Sequence, residues 1–316
     1  MMYQSGLAKD IHGFLELKES LGYFKSSYES YLSSIDIFCS QKYPELAVMS
    51  KDFVMDWAQK RSDESVNSHK RRNCVIRELG KYQNAIGRHA YILPSEYIGK
   101  YLKYLPYLFS DKELSILFST FDEIGPHFES PGREYIIPVL FRMVYCCGLR
   151  PGEPLVLACS DVDISSGALM IRESKAHKDR VVVMSEELRM LCRKYDNLMG
   201  PREFFFQHFD GGPCPVHWMR NQFKICWRKS GLDNGQRRPR PYDLRHNFAT
   251  RVLLRWMDEG TDVITMIPYL SEYMGHGDFS STMYYIHLIP ENLIKNAGID
   301  WERFARIFPE ISYEAD

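Results

Sequence analysis

Apolar residues recur at helical intervals along most of this chain, and in one stretch, between Ala168 and Met184, the period drops to two. Ala-Leu-Met-Ile-Arg and Arg-Val-Val-Val-Met are β-type runs joined by the polar segment Ser174 to Asp179, which predicts a small antiparallel hairpin. The fold class is therefore mainly α, with one small antiparallel β-sheet in the second half.

A chain of 316 residues is long for one domain and suits two, each with its own core. In the first part, Phe14, Leu17 and Leu21, then Tyr28, Tyr31, Leu32, Ile35 and Phe38, keep close to the 3.6 period. Pro44 and Ser50-Lys51-Asp52 interrupt it, a third helix carries Phe53, Met55 and Trp57, and a fourth runs from about Ser65 to Ile86. Pro94, the Lys-Tyr-Leu-Lys-Tyr-Leu-Pro run and Pro106 read as a linker, and Ser110-Asp111-Lys112-Glu113 is a capping box that starts a new helix. The expected division is a helical bundle over residues 1–105 and a mainly helical domain with the sheet over 106–316. In that second domain the helix from Arg133 to Cys147 is apolar nearly all round, so it should be buried, with Gly148 as its C-cap. After the hairpin, helices are expected over Ser185–Asn197, His217–Ser230, Tyr242–Asp258, Asp262–Tyr273, Ser280–Leu288 and Trp301–Phe308.

Forty Lys and Arg against 41 Asp and Glu give no net basic character, so an argument for a nucleic-acid partner has to come from local clustering. The fourth helix supplies it: His69, Lys70, Arg71, Arg72, Arg77 and Lys81 lie on it and Arg88 just beyond. Such a run is either a solvated helical face or a phosphate-binding stripe, and the spacing of Arg77, Lys81 and Arg88 on one side of a straight helix favours the second. The eight cysteines are scattered, with no paired C-x-x-C, and read as reduced thiols of a cytosolic protein. No apolar run reaches the roughly 18 residues of a membrane span, which predicts a cytoplasmic chain with no membrane partner.

Between Arg240 and His287 the sequence gathers groups able to grip and attack a phosphate. Pro241 suits the first turn of a helix, and the i, i+3 spacing of Tyr242 and Arg245 puts both on one face. Gly275 precedes His276 at a helix end, Tyr285 follows nine positions later, and His287 two beyond that. Upstream, Arg150 lies in Cys-Gly-Leu-Arg-Pro-Gly-Glu, where Glu153 could hold its guanidinium and leave other donors for phosphate oxygens. Lys175 and Lys178 lie in the hairpin turn, where a lysine is either plain exposed charge or a proton donor to a leaving oxygen.

Taken in order, Gly-Leu-Arg-Pro-Gly-Glu, the hairpin lysine, Leu-Arg-His-Asn-Phe-Ala-Thr, Met-Gly-His and Thr-Met-Tyr-Tyr-Ile-His resemble the tyrosine recombinase (phage integrase) family over about residues 108–290. The N-terminal bundle is similar to that family's core-binding domain. The resemblance implies a site-specific recombinase that cleaves DNA through a 3′-phosphotyrosine, conserving the bond energy so that no cofactor, ATP or metal is needed. The absence of a G-x-x-x-x-G-K-[ST] loop and of a carboxylate cluster for two metals agrees. By position, Arg150 and Arg245 would clamp the nonbridging oxygens, His276 would donate a further hydrogen bond, and Lys175 would be the general acid. The family interval from the Gly-His histidine selects Tyr285 as nucleophile; Tyr284, about 100° round a helix, cannot face the same phosphate. His287 would brace the helix. Lys70, Arg71, Arg72, Arg77 and Lys81 would meet double-stranded DNA, in a homotetramer on synapsed sites, with or without accessory recombinases.

The resemblance departs at Tyr242, where the family usually has histidine. Tyr242 stays among the candidate catalytic residues, because a phenol can hydrogen-bond the phosphate or the nucleophile. With a pKa of about 10 in water it is a poor general base, and His246, about 100° round the helix from Arg245, is no automatic substitute. The long interval before His276 resembles integrases and transposases of mobile elements more than the compact Xer type. The stripe Trp301, Phe304, Ile307 and Phe308 suits either packing on its own domain or docking on a neighbouring protomer. Two alternatives differ in outcome: a catalytically impaired DNA-binding relative gives no adduct, and a type IB topoisomerase-like enzyme relaxes supercoils without a specific site.

Overall fold

The computed structural model describes residues 3–102, 104–172, 179–235, 237–277 and 280–286. Lys175, Lys178, His287 and the aromatic stripe after Asp300 lie outside the described residues. The chain divides into two compact units, Met1–Tyr104 and Leu105–Asp316.

In the first unit four helices, α1 (Ala8–Ser20), α2 (Ser26–Lys42), α3 (Lys51–Trp57) and α4 (Val66–Ala85), surround one apolar core. Leu7, Ile11, Leu32, Ile35, Phe53, Val54, Ile76 and Leu79 are fully buried in it. Ser50 and Ser65 stop frayed ends by accepting hydrogen bonds from Phe53 and Ser68 backbone N–H groups, at 3.3 and 3.1 Å.

Two expectations for the basic helix need correction. Arg72 is buried, and its guanidinium is used up inside the bundle: Nε and Nη2 donate to Glu64 at 2.9 and 3.0 Å, Nη2 also to the Gln59 carbonyl and Nη1 to the Trp57 carbonyl. It bolts α4 to the end of α3, because an arginine pointing inward must find an acid and carbonyls or stay out of the core. Arg88 lies past the end of α4 and pairs with Asp10 at 2.9 Å, so it does not continue the helical stripe. Lys70, Arg77 and Lys81, at i, i+7 and i+11, do share one side. Lys81 and the neighbouring Arg71 are exposed. Lys70 sits 4.0 Å from the Tyr101 ring centre, and Arg77 donates to the Leu93 carbonyl.

The second unit opens with α5 (Asp111–Asp122), whose capping box is formed: Ser110 Oγ accepts from the Glu113 N–H at 3.3 Å and Glu113 Oε2 from the Ser110 N–H at 2.8 Å. Next comes α6 (Arg133–Cys146), buried along most of its length as its all-round apolar character requires. The sheet has three antiparallel strands in sequence order, β1 (Val162–Asp163), β2 (Ala168–Ile171) and β3 (Arg180–Val183). The hairpin expected from the period-two stretch is β2–β3, with Met170 opposite Val181. The two-residue β1 is an addition, too short to leave a periodic signal.

Four longer helices follow: α7 (Glu186–Met199), α8 (Val216–Lys229), α9 (Pro241–Asp258) and α10 (Val263–Met274). The short α11 (Ser280–Ile286) packs with α9 and α10 through Ala249, Leu253, Ile267, Met274, Tyr285 and Ile286. Among the described residues no helix is long and apolar enough to cross a membrane, and all eight cysteines are free thiols.

Candidate active site

The site is built at the C-terminal end of α10. The last carbonyls of a helix have no partner within it. Here the last two carbonyls of α10 and that of Gly275, just past its end, are taken by three different arginines. Arg180 Nε donates to the Tyr273 carbonyl at 2.9 Å, Arg245 Nη2 to the Met274 carbonyl at 2.7 Å, and Arg150 Nη2 to the Gly275 carbonyl. Cationic side chains at this end also complement the helix dipole.

The three guanidinium groups share one carboxylate, Glu153. Arg180 grips it in a fork, Nη1 to Oε1 at 2.9 Å and Nη2 to Oε2 at 2.7 Å. Arg150 Nη1 donates to Oε1 at 2.8 Å and its backbone N–H to Oε2 at 2.7 Å, while Arg245 Nη1 stands 4.0 Å from Oε2. Burial alone would raise the Glu153 carboxyl; the hydrogen bonds and charge of Arg180, with help from the Arg150 backbone and Arg245, hold it below the usual carboxylate range. One negative charge against three positive ones leaves an excess suited to an anion.

Two glycines let the pieces approach. Gly148, at φ 60, follows the buried α6, and a side chain there would run into the Phe248 ring; its carbonyl accepts from Arg245 Nη1 at 2.8 Å. Gly275, at φ 62, turns the chain sharply off α10, and a Cβ there would lie 3.0 Å from Arg180 Nη1. The turn delivers His276 beside the arginines. Its Nδ1 shares a hydrogen bond with Thr282 Oγ1 at 2.7 Å, and its ring lies 6.0 Å from that of Tyr285.

Tyr285 is nearly covered, at 2% exposure. Burial pushes its phenol up to about 12, while the charge of Arg245 and a hydrogen bond from it pull the other way. Arg245 is fully buried, and burial lowers the pKa of its guanidinium. Burial, with the charges of Arg245, Arg150 and Arg180, drives His276 down to about 3, so its imidazole is neutral. Tyr284 feels a different set of charges, Arg237 and Asp243, after the effect of its own burial. The two adjacent phenols thus look into different surroundings, as neighbours on a helix must.

The structure therefore brings Arg150, Arg245, His276 and Tyr285 together, with Tyr242 on the same helix as Arg245. Arg180 was not named from sequence, and His246, about 100° round the helix from Arg245, reads there as no automatic substitute for the histidine missing at position 242. Arg180 begins β3, and the alternation that buries Val182 buries it too; an arginine at an inward strand position is a signal that an acid awaits it. His246 lies between Tyr242 and Tyr285, with ring centres 4.9 and 5.5 Å away. Its signal was the i, i+4 interval from Tyr242.

Comparison with known proteins agrees in kind. The sequence pattern of the Phage integrase family matches residues 121–292, more than half of the chain. The chain is 28% identical over 300 residues to y4rE of Sinorhizobium fredii (strain NBRC 101917 / NGR234), named for an integrase/recombinase, covering 89% of this chain and 91% of that one. It is 30% identical over 155 residues to tyrosine recombinase XerA of Saccharolobus solfataricus, which is 49% of this chain and 47% of the other. Among solved structures, the Tn1549 transposon integrase in complex with transposon right-end DNA gives a TM-score of 0.64 at 14% identity, covering 94% of this chain and 99% of that one. The XerH site-specific recombinase bound to palindromic difH substrate gives 0.63 at 18%, covering 89% and 80%. At these identities the structures speak for the fold.

Proposed function

The chain belongs to the phage integrase family, and from that premise we propose that it is a site-specific DNA recombinase that cuts and rejoins strands through a 3′-phosphotyrosine at Tyr285. The observation that carries the reading is the meeting of Arg150, Arg180 and Arg245 on the single carboxylate of Glu153, beside Tyr285 and His276. A phosphodiester drawn to that excess charge has donors waiting for the negative charge that grows on its oxygens during attack. Arg150 and Arg245 bind those oxygens, and the neutral His276 imidazole donates a further hydrogen bond. Lys175 protonates the leaving 5′ oxygen.

Each step exchanges one phosphodiester for another, so energy is conserved in the protein–DNA bond. Residues 1–105 act as a core-binding domain, in which Lys70, Arg71, Arg77 and Lys81 meet the DNA backbone, and residues 106–316 as the catalytic domain. Recombination takes place in a homotetramer on synapsed sites and serves a mobile element. Complexes of the Tn1549 integrase and XerH with DNA support a DNA partner.

The test uses nicked duplexes tiled across the DNA flanking the gene, scored for covalent adducts on denaturing gels. The parent chain and Tyr284→Phe are expected to form adducts and Tyr285→Phe none. An adduct that survives in Tyr285→Phe removes the nucleophile assignment. No adduct from the parent on any tile would point to an inert DNA-binding relative.

A further inference from the structure

We infer that His246, and not Tyr242, takes the proton from Tyr285 as its oxygen attacks phosphorus, an inference that rests on the recombinase reading above. Tyr242 holds the position where a histidine is expected, and a phenol is a poor proton acceptor near neutral pH. One helical turn further along α9 stands an imidazole. The i, i+4 interval puts His246 on the face of Tyr242, and their ring centres are 4.9 Å apart. On its other side the ring centre of Tyr285 is 5.5 Å away.

The hydrogen bonds separate the two histidines beside Tyr285. His276 Nδ1 already engages Thr282 Oγ1 at 2.7 Å, which fixes its ring and leaves it suited to donating toward the phosphate. His246 Nδ1 is buried with no hydrogen-bond partner among the described residues. Buried polar nitrogens are seldom left idle, and this one belongs to a ring packed against that of the proposed nucleophile. Burial, then the charges of Arg245 and Arg240, bring this imidazole down to about 4 and keep it in the neutral form that can accept. A bound phosphodiester anion offsets those arginine charges and makes the ring more basic when the proton has to move.

The transfer balances. As the Tyr285 oxygen bonds to phosphorus, its proton passes to the His246 imidazole. The bond from phosphorus to the 5′ oxygen breaks, and that oxygen receives a proton from the general acid, for which Lys175 is proposed. Rejoining runs both transfers backwards, and the imidazolium returns its proton to the departing phenolate.

The experiment measures single-turnover adduct formation on the nicked flanking-DNA duplexes by the full chain, its His246→Asn and His246→Gln variants, and each of these with 3,5-difluorotyrosine inserted at position 285. The fluorinated phenol is more acidic and depends less on an acceptor. His246→Asn is expected to lose about 10²-fold in rate, in line with general-base catalysis, and the fluorinated residue to restore at least about tenfold. A purely structural role for His246 predicts a loss that phenol acidity does not repair, and that outcome overturns the inference. So does an undiminished rate in His246→Asn. If both variants melt below the parent, the fluorinated parent decides alone: a change under about threefold means the acceptor works, and a rise of about tenfold means it does not. Failure of the parent to form any adduct is distinct, since it removes the recombinase reading and this inference with it.

Discussion

At the scale of single residues, the two imidazoles of the site stay neutral to a lower pH than they would in water. His276 and His246 are lowered to about 3 and about 4, mainly by burial and then by neighbouring arginines. In the unfolded chain both titrate at about 6.5. Below that pH the unfolded state takes up protons that the folded state refuses, so stability is complete above about 6.5 and falls as pH drops toward 4. At pH 5, about 1.5 pH units below the unfolded value, the loss reaches about 2 kcal/mol per histidine. Urea midpoints at pH 7 and pH 5 should show this fall, and His276→Asn or His246→Asn should each flatten it. Equal slopes in parent and variants would mean the imidazoles are solvated. Glu153 acts in a lower window, because its carboxyl is held below the usual range and its contribution fades only as pH falls through that lowered value. Much of this residue-level picture was legible in the sequence, since Arg150, Glu153, Arg245, His276 and Tyr285 occur in short ordered motifs. Arg180 was not, because its partners Glu153 and Tyr273 lie 27 and 93 residues away and no local spacing announces them. Arg72 misled for the opposite reason: a basic run in sequence does not say which of its members points inward.

Among the elements, the end of α10 is the part on which the others converge. Its last two carbonyls and that of Gly275, just past its end, are capped by side chains from β3, from α9 and from the segment after α6. Gly275 makes that possible, since its φ of 62 and its closeness to Arg180 leave no room for a side chain. Gly275→Ala should lower stability by about 1–2 kcal/mol, the cost of a left-handed alanine. It should also displace His276, and a drop in adduct formation larger than the fraction unfolded would register that shift. Adduct yield that follows the folded fraction alone would separate the turn from the chemistry. Helices of this kind are readable because an amphipathic stripe and a cap are local signals, and the Ser110 box formed as its sequence predicts. The tilt and reach that bring α10, β3 and the Arg150 segment to one point are set by long-range packing, which periodicity does not encode.

At the scale of the whole molecule, the buried apolar residues among those described fall into separate clusters on either side of residues 104 and 105, one in the first unit and two in the second. The chain carries almost no net charge, yet its proposed substrate is a polyanion, so binding has to come from charges placed locally and not from a general field. Two basic regions meet that need in different ways. Of the arginines around Glu153, Arg180 and Arg245 are buried and Arg150 is half-buried, and each donates to a carbonyl, which suits one phosphate held in a fixed pose. Lys70 and Lys81, on one side of α4, suit phosphates that are neutralised with release of counterions. The double variant Lys70→Ala with Lys81→Ala should therefore weaken binding to flanking-DNA duplexes uniformly across sequences. Each phosphate contact contributes about 0.9 to the slope of log affinity against log salt, so the slope should become shallower by about 1.8. Affinities measured between 50 and 200 mM salt, values on the order used for such slopes, resolve that change. The rate of adduct formation at saturating DNA should stay at the parent value, because neither lysine belongs to the arginine cluster. An unchanged salt slope would leave α4 a solvated face, and the proposed phosphate contacts of the first unit would then have to come from elsewhere on its surface.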